Sequence, residues 1–372
     1  MAQTISATDV EVQKPVNALY QEMLLRNARP VAPYFIGTTP GTLQKNAGTA
    51  TIMWRRFNTS LDNASGPAPS TTALTELTTT SSYMQGRDSI TAHFSNVTAT
   101  VSKYGQFFIL NEEVDVFNPN GTMAGITRTL AIVAGRSLDY LQREIAESNM
   151  TVLRAGNVAS DGVIVSKITA TSIANAIITM TTKAAMPFTP MSEGSQNVGT
   201  NPVLPAYWSI CHPHVAYDVA QFPGFKSVET YAGQVDTVPG EFGLYASAGY
   251  AVRFIQTPDA SADANTGGSV GSTGLRSTGA SVIDLYRTVI YGQDCLGSVG
   301  LGQACPDGIY RAGDDQAVIQ MIAKGRGTGN PSGTSDPYDE IMTLAYKFWH
   351  TGALLNANFG RVIHSGATNV TA

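Results

Sequence analysis

The segment near the end of this 372-residue chain constrains its fold most. After Asp336-Pro337-Tyr338 comes a nearly unbroken apolar run, Ile341-Met342-Thr343-Leu344-Ala345-Tyr346-Lys347-Phe348-Trp349. A second stretch, Leu354-Leu355-Asn356-Ala357-Asn358-Phe359-Gly360-Arg361-Val362-Ile363, follows closely. Aromatic and β-branched residues are frequent, no Gly or Pro interrupts the first run, and the apolar residues do not alternate with polar ones. A segment of that kind is expected to be strand covered on both faces. It holds almost no groups that could do catalysis, so it points to a building block rather than an enzyme.

Charge supports the same expectation. Only 14% of residues are charged, well under the usual quarter, while Gly, Ala, Thr and Ser are abundant. Much of the surface should therefore be covered, most economically by copies of the same chain. A net charge of −5 argues against a dedicated nucleic-acid binder. Cys211, Cys295 and Cys305 are an odd count with no CxxC pair, which fits a reducing compartment and no disulfide framework. The start, Met1-Ala2-Gln3-Thr4, lacks a basic region followed by an apolar run, so no signal peptide is expected. No stretch approaches the roughly 18 apolar residues of a membrane span. The Asn-x-Ser/Thr triplets at Asn63, Asn96 and Asn120 are what a Thr-rich chain produces by chance.

Along the chain, Val16, Leu19, Tyr20, Met23 and Leu24 have helical spacing, and Pro30 and Pro33 end that helix. Ile52 to Phe57 predicts a strand. A polar stretch (58–82) and a return run through Ile90, His93, Val97, Thr100 and Val101 to Lys103–Phe108 complete a long hairpin. Such a ribbon is marginal by itself and needs a surface to lie on. The strongest helix signal covers 122–150: Met123, Ile126, Leu130, Val133, Leu138, Leu141 and Ile145 follow one face, and Asn118-Pro119-Asn120-Gly121 precedes it. Shorter helices are predicted at 173–180 and 214–222, and strands at 207–211, 250–255 and 283–291. Two Gly/Ser-rich stretches, 258–281 and 325–337, have no apolar periodicity and predict flexible surface loops.

Candidate chemistry is sparse. Gly267-Gly268-Ser269-Val270-Gly271 matches the GxSxG elbow, but it falls in a low-complexity loop rather than between a strand and a helix. Cys211-His212-Pro213-His214 offers metal-ligand atoms without a second cluster to complete four-coordination, and a strand turning into a helix at Pro213 explains it as well. Gly325-Arg326-Gly327-Thr328-Gly329 lacks the Lys-Ser/Thr of a phosphate loop. The expectation is no catalytic residue, no cofactor and no metal. Glu112, Glu113 and Asp115 suit a solvated face or salt bridges between subunits better than a cation site. Arg55 and Arg56, beside Trp54 in the hairpin, suit either snorkelling on an edge strand or pairing with a neighbour's acids. These six residues are the candidate contact residues.

Short segments in one order carry a resemblance. They are Trp54-Arg55-Arg56, Tyr104-Gly105-Gln106 leading through the acidic stretch to Leu138-Asp139, and Cys211-His212-Pro213 with Tyr217-Asp218. Then come Gly240-Glu241-Phe242-Gly243 with Arg253-Phe254, Tyr286 with Tyr291-Gly292, and Asp336-Pro337 with Lys347 and Leu355-Asn356. In these the chain resembles the major capsid proteins of tailed bacteriophages with the Hong Kong 97-type fold, most closely the coliphage N-four branch.

The resemblance implies an α+β subunit with an N-terminal arm (1–52), an extended-loop hairpin (53–107), a peripheral domain (108–165 and 321–357) and an axial domain (166–320 and 358–372). It implies hexamers and pentamers in an icosahedral shell assembled in a bacterial cytoplasm, with heterologous contacts that close into rings. The expected partners are a separate scaffolding protein, a portal protein and double-stranded DNA inside, and the resemblance leaves open whether a decoration protein binds outside. Contacts to that DNA should be weak and non-specific, through scattered cations such as Lys14, Arg26 and Arg29. Nearer alternatives are a bacterial compartment shell of the same fold and, further off, a secreted β-rich surface protein.

Overall fold

The computed structural model describes residues 33–43, 48–61, 66–68, 92–111, 122–190, 203–231, 238–271, 273–301, 319–324, 338 and 340–370. The expected arm helix, Lys14, Arg26, Arg29, Cys305, Glu112, Glu113, Asp115 and Asp336-Pro337 lie outside these.

One helix organises the rest. α1 spans Thr122–Asn149, 28 residues and about 42 Å, over the stretch its apolar stripe predicts. Its buried positions Leu130, Ala134 and Leu138 recur every four residues, with Ala131 three before Ala134, so they share one face. That face lies on a five-stranded sheet made of β1 (Thr39–Leu43), β4 (Ser102–Asn111), β12 (Leu296–Leu301), β13 (Ile319–Lys324) and β14 (Ile341–Leu354). The contact core adds Phe35, Ile319, Leu344, Tyr346 and Phe348. Nearer its C-terminus α1 buries Ala146, with Met150 just beyond, in a second core with Ile210, Ile255, Val289, Tyr291 and Val362.

That second core belongs to an eight-stranded sheet: β5 (Thr151–Arg154), β6 (Ala206–Cys211), β7 (Lys226–Ser227), β8 (Glu241–Ser247), β9 (Tyr250–Gln256), β10 (Ala262–Asp263), β11 (Leu285–Tyr291) and β15 (Gly360–Ser365). The order is β5-β15-β11-β6-β9-β8-β7, with β10 on β11. Helices α2 (Ala170–Thr182) and α3 (Pro213–Ala220) cover its other face, where Ile173, Ile177, Val215, Phe254 and Ile363 pack together, and the single turn α4 (Val228–Tyr231) follows β7. β2 (Thr51–Asn58) and β3 (His93–Thr100) form a separate antiparallel ribbon.

Three expectations change. The C-terminal apolar segment is two strands in two sheets, and only β15 is buried along its whole length. β14 alternates: Met342, Leu344, Tyr346, Phe348 and His350 are buried, while Ile341 and Trp349 on the opposite face are exposed. The hairpin ends at Thr100. β4 leaves the ribbon and pairs with β14 over ten residues, Ser102 to Asn111 against His350 to Ile341. This long ladder satisfies its backbone inside a sheet, which a free two-stranded ribbon could not match.

The stretch 258–281 is folded, contrary to its composition. Asp284 Oδ1 accepts from the backbone N of Asn265 (3.0 Å) and of Thr278 (3.1 Å), and Asp284 Oδ2 from Thr278 Oγ1 (2.8 Å). Leu275 packs beneath it with Ile164, Ile283 and Leu285. Asn265 and Gly274 adopt positive φ of 56° and 68°, conformations that Asn and Gly tolerate, which is why these residue types occur here. Side-chain hydrogen bonds do here what apolar periodicity does elsewhere. Among the described residues no helix is long and apolar enough to cross a membrane.

Candidate subunit-contact surfaces

Among the described residues the ribbon is anchored on one face. Strand period places Ile52, Trp54, Arg56 and Asn58 on the inner side and Met53, Arg55 and Phe57 on the outer. Ile52 and Trp54 pack against Leu43, Val101 and Val299. The indole lies close enough to Gly41 that a Cβ there would sit 2.7 Å from it, so the glycine makes room for the ring. Arg56 is engaged within its own chain: Nη1 donates to the Leu355 carbonyl (3.0 Å) and Nε to Asn58 Oδ1 (3.0 Å). Arg55 points the other way. It donates to Asn96 Oδ1 (3.2 Å) and stacks 4.7 Å from the Phe94 ring. Adjacent arginines therefore face opposite environments. The outer face they border carries Met53, Phe57 and Phe94, all about half exposed or more.

A second apolar surface was not singled out by the sequence. On the face of the five-stranded sheet away from α1, Phe107 is 64% and Ile109 62% exposed. Their register partners are Ala345 and Thr343, and Ile322 of β13 is the next neighbour across Ala345. Lys103 Nζ lies 5.8 Å from the Trp349 ring at the far end of the same face. The signal was present in the sequence: the odd positions Ile341, Ala345 and Trp349 are apolar like the even ones. Among the described residues, large exposed apolar side chains thus gather on two faces rather than being scattered singly.

The chemical motifs have structural uses. His212 is the N-cap of α3, where its Nδ1 accepts from the His214 backbone N (3.2 Å) and Pro213 fills the first helical position. Burial pushes the His212 pKa down to about 4, with His214 and Arg276 adding to the effect. Cys211 is fully buried and its thiol is raised by that burial, so it is held as the unreactive neutral form. Among the described residues no three His, Cys, Asp or Glu side chains converge as a metal-holding group. Gly267 to Gly271 lies against β-bridged loop, Ser269 pairing with Val282, and not at a strand-to-helix turn. Asn96, the one glycosylation triplet described, faces outward opposite Arg55.

His350 predicts an acid response. It is 2% exposed, with its ring 5.3 Å from Phe35, and burial lowers its pKa from 6.5 to about 4. The unfolded chain takes up the proton first. Stability from this group is therefore complete above pH 6.5 and is lost as pH falls toward 4, by about 3 kcal/mol in all. Buried Asp139, whose pKa is raised by desolvation, works in the opposite direction. The informative measurement is thus a difference: His350→Gln should lose less stability than the parent between pH 7 and pH 4.5 in urea titrations. Parallel pH profiles for the two would show that His350 is not responsible.

No protein-family model matches the sequence, and no curated protein matches it either. Solved structures do. The chain is similar to a capsid chain of Ralstonia phage GP4, with TM-score 0.58, 10% identity, and coverage of 91% of this chain and 88% of that one. It is similar to the cyanophage Pam1 capsid at TM-score 0.52 and 13% identity, covering 93% of each chain. The capsid structure of cyanophage P-SCSP1u gives TM-score 0.50 and 10% identity, covering 91% of this chain and 89% of that one. What these likenesses define is a fold: a mixed helix-and-sheet chain with the Hong Kong 97-like architecture of phage capsids, over nearly its full length.

Proposed function

We propose that this chain is the major capsid protein of a tailed bacteriophage. Its copies join as hexamers and pentamers that close into an icosahedral head shell around double-stranded DNA, without enzymatic chemistry. The observation that supports this most is the pair Phe107 and Ile109, which leave an apolar sheet face uncovered by the chain's own helix. A shell supplies that cover from neighbouring copies. The capsid chains of similar fold make the shell the natural setting for it.

In this reading the arm is 1–52 and the extended loop 53–107. α1 with β14 is the spine of the peripheral domain (108–165 and 321–357), and the eight-stranded sheet forms the axial domain (166–320 and 358–372). Strand pairing argues for two adjustments: β5 pairs with β15 and belongs with the axial sheet, and β12 pairs with β14 and belongs with the peripheral one. Arg55, on the free face of the ribbon, suits an acidic partner on a neighbour, with Glu112, Glu113 and Asp115 as candidates. Trp54 and Arg56 anchor the ribbon that presents it. The short segments point to the coliphage N-four branch. A separate scaffolding protein, a portal and a decoration protein are the partners of such a shell, whose inner surface would meet DNA weakly.

Electron microscopy of the chain expressed with its phage's assembly partners tests this. Closed particles holding duplex DNA are expected, whereas closed particles filled with a protein cargo would favour the compartment shell. Deleting 58–89, the last residue of β2 and the polar stretch that follows it in the sequence, should leave soluble subunits or capsomers and no shell. Normal closed particles from that deletion would remove the ribbon from the assembly contacts.

A further inference from the structure

Besides the packing of Tyr34 and Ile36, which lead into β1, on the core of the eight-stranded sheet, two further joins connect the two sheets. Among the described residues the chain passes between them three times: at Met150, at Gly292–Cys295 and at Leu355–Phe359. These passages pack on one another. A Cβ on Gly360 would lie 2.6 Å from Met150 Sδ and 2.7 Å from Cys295 Sγ. Backbone bonds tie the second passage to the third, Leu355 N to Cys295 O (2.8 Å) and Gly292 N to Phe359 O (2.9 Å). Arg361 Nη1 caps the turn by donating to the carbonyls of Gly360 (2.7 Å) and Ala357 (3.0 Å).

The second join is polar and runs along α1 from Glu147, close to that crossing, to Arg136, far from it. Arg136, Tyr140, Arg143 and Glu147 occupy one stripe of α1, at i, i+4, i+7 and i+11. They meet the segment that leaves β9, whose Asp259 is 4% exposed. Asp259 Oδ1 accepts from Arg136 Nε (2.9 Å), Arg136 Nη2 (2.6 Å) and Tyr140 OH (3.2 Å). Arg143 donates to the Asp259 carbonyl, and its guanidinium lies 4.5 Å from the Tyr140 ring. Below it, Glu147 faces Arg287 (3.4 Å), which also pairs with Asp263 (2.5 Å). Arg136 stands about 21 Å along α1 from Met150, so its end of the stripe has a long lever arm about the crossing.

We propose that this stripe is a breakable latch. The Met150–Cys295–Gly360 crossing is the pivot, and the grip of Arg136 and Tyr140 on Asp259 sets the angle between the eight-stranded sheet and α1. The physical difference between the two joins supports this division. The crossing is covalent chain with apolar packing and cannot open without unfolding. The latch is a few charge-assisted hydrogen bonds, one of whose partners, Arg136, has a side chain 46% exposed, so it can exchange them for water. An adjustable angle would let one chain meet neighbours in more than one orientation. The latch is a property of a single chain and stands whether or not that chain builds a shell.

Spin labels report the angle directly. The full chain carries Thr129→Cys on α1 and Asn175→Cys on α2, both exposed, with Cys305→Ser to keep labelling specific. It is diluted into excess unlabelled chain so that only distances within one chain are read. The parent should give one narrow distance distribution. Asp259→Asn should broaden it and move its mean by more than the parent's own width, with the circular dichroism spectrum unchanged. Asp161→Asn, which breaks the Arg154 pair on β5 instead, should leave it narrow. Should Asp259→Asn fail to fold, Arg136→Gln at its half-exposed position gives the same reading. A distribution superimposable on the parent's, in Asp259→Asn or, failing that, in Arg136→Gln, overturns the latch. Equal broadening by Asp161→Asn would also overturn it, because the motion would then be general loosening.

Discussion

A chain carrying Phe107→Glu and Ile109→Glu should fold like the parent and form no closed particle. Both side chains are more than 60% exposed on the sheet face away from α1, so removing them opens no cavity. Surface changes of this kind usually shift stability by well under 1 kcal/mol, and the lower strand propensity of Glu adds at most about another 1 kcal/mol. In the assembly the same positions would be covered. Two carboxylates would then be desolvated without partners, at several kcal/mol per contact. Because the penalty recurs at every copy, closure should fail completely rather than slow down. Sedimentation and microscopy would read the loss, and thermal melting would show the retained fold. Normal particles from this variant would mean that this face is open in the assembly.

The opposite face of the same strand pair should respond in the opposite way. Phe348→Ala is expected to destabilise the subunit itself by about 3–5 kcal/mol, with a matching fall in the urea midpoint. Phe348 is 1% exposed, stacks 6.0 Å from Tyr346 with the rings nearly parallel, and meets Tyr104 at 5.7 Å. It also lies in the core that holds α1 to β14. A ring removed there leaves a void that close-packed neighbours can only partly fill. A loss below about 1 kcal/mol would show that α1 is held on the five-stranded sheet by the rest of this core, Leu130, Leu138, Leu344 and Tyr346, rather than by the Phe348 ring. Two aromatic residues on adjacent strands thus separate folding from assembly by the side they face.

That contrast marks the boundary between what the sequence by itself determined and what only the tertiary structure decided. α1 was legible because helix period is local: Ile126, Leu130, Val133, Leu138 and Leu141 define one face within a few turns, and α1 begins and ends within a residue of the stretch predicted. β2, β6, β9 and β11 were legible for the same reason, since each is a short β-branched or aromatic run with turn residues nearby. The destination of β4 was not. Its sequence continues that of β3, and only the long ladder with β14, more than 200 residues away, draws it out of the ribbon. Nor could the run from Ile341 to Trp349 reveal which of its apolar faces the chain would cover itself. One helix can cover one face, and the choice depends on where α1 lies. The stretch 258–281 misled because its order comes from Asp284, Asn265 and Thr278, hydrogen bonds that leave no periodic trace. The grip of Arg136 on Asp259 joins residues 123 positions apart, and no local pattern announces it. Local periodicity determines elements, because the energies involved act within a few residues. Which surfaces meet, and which stay bare, is decided by packing across the whole chain.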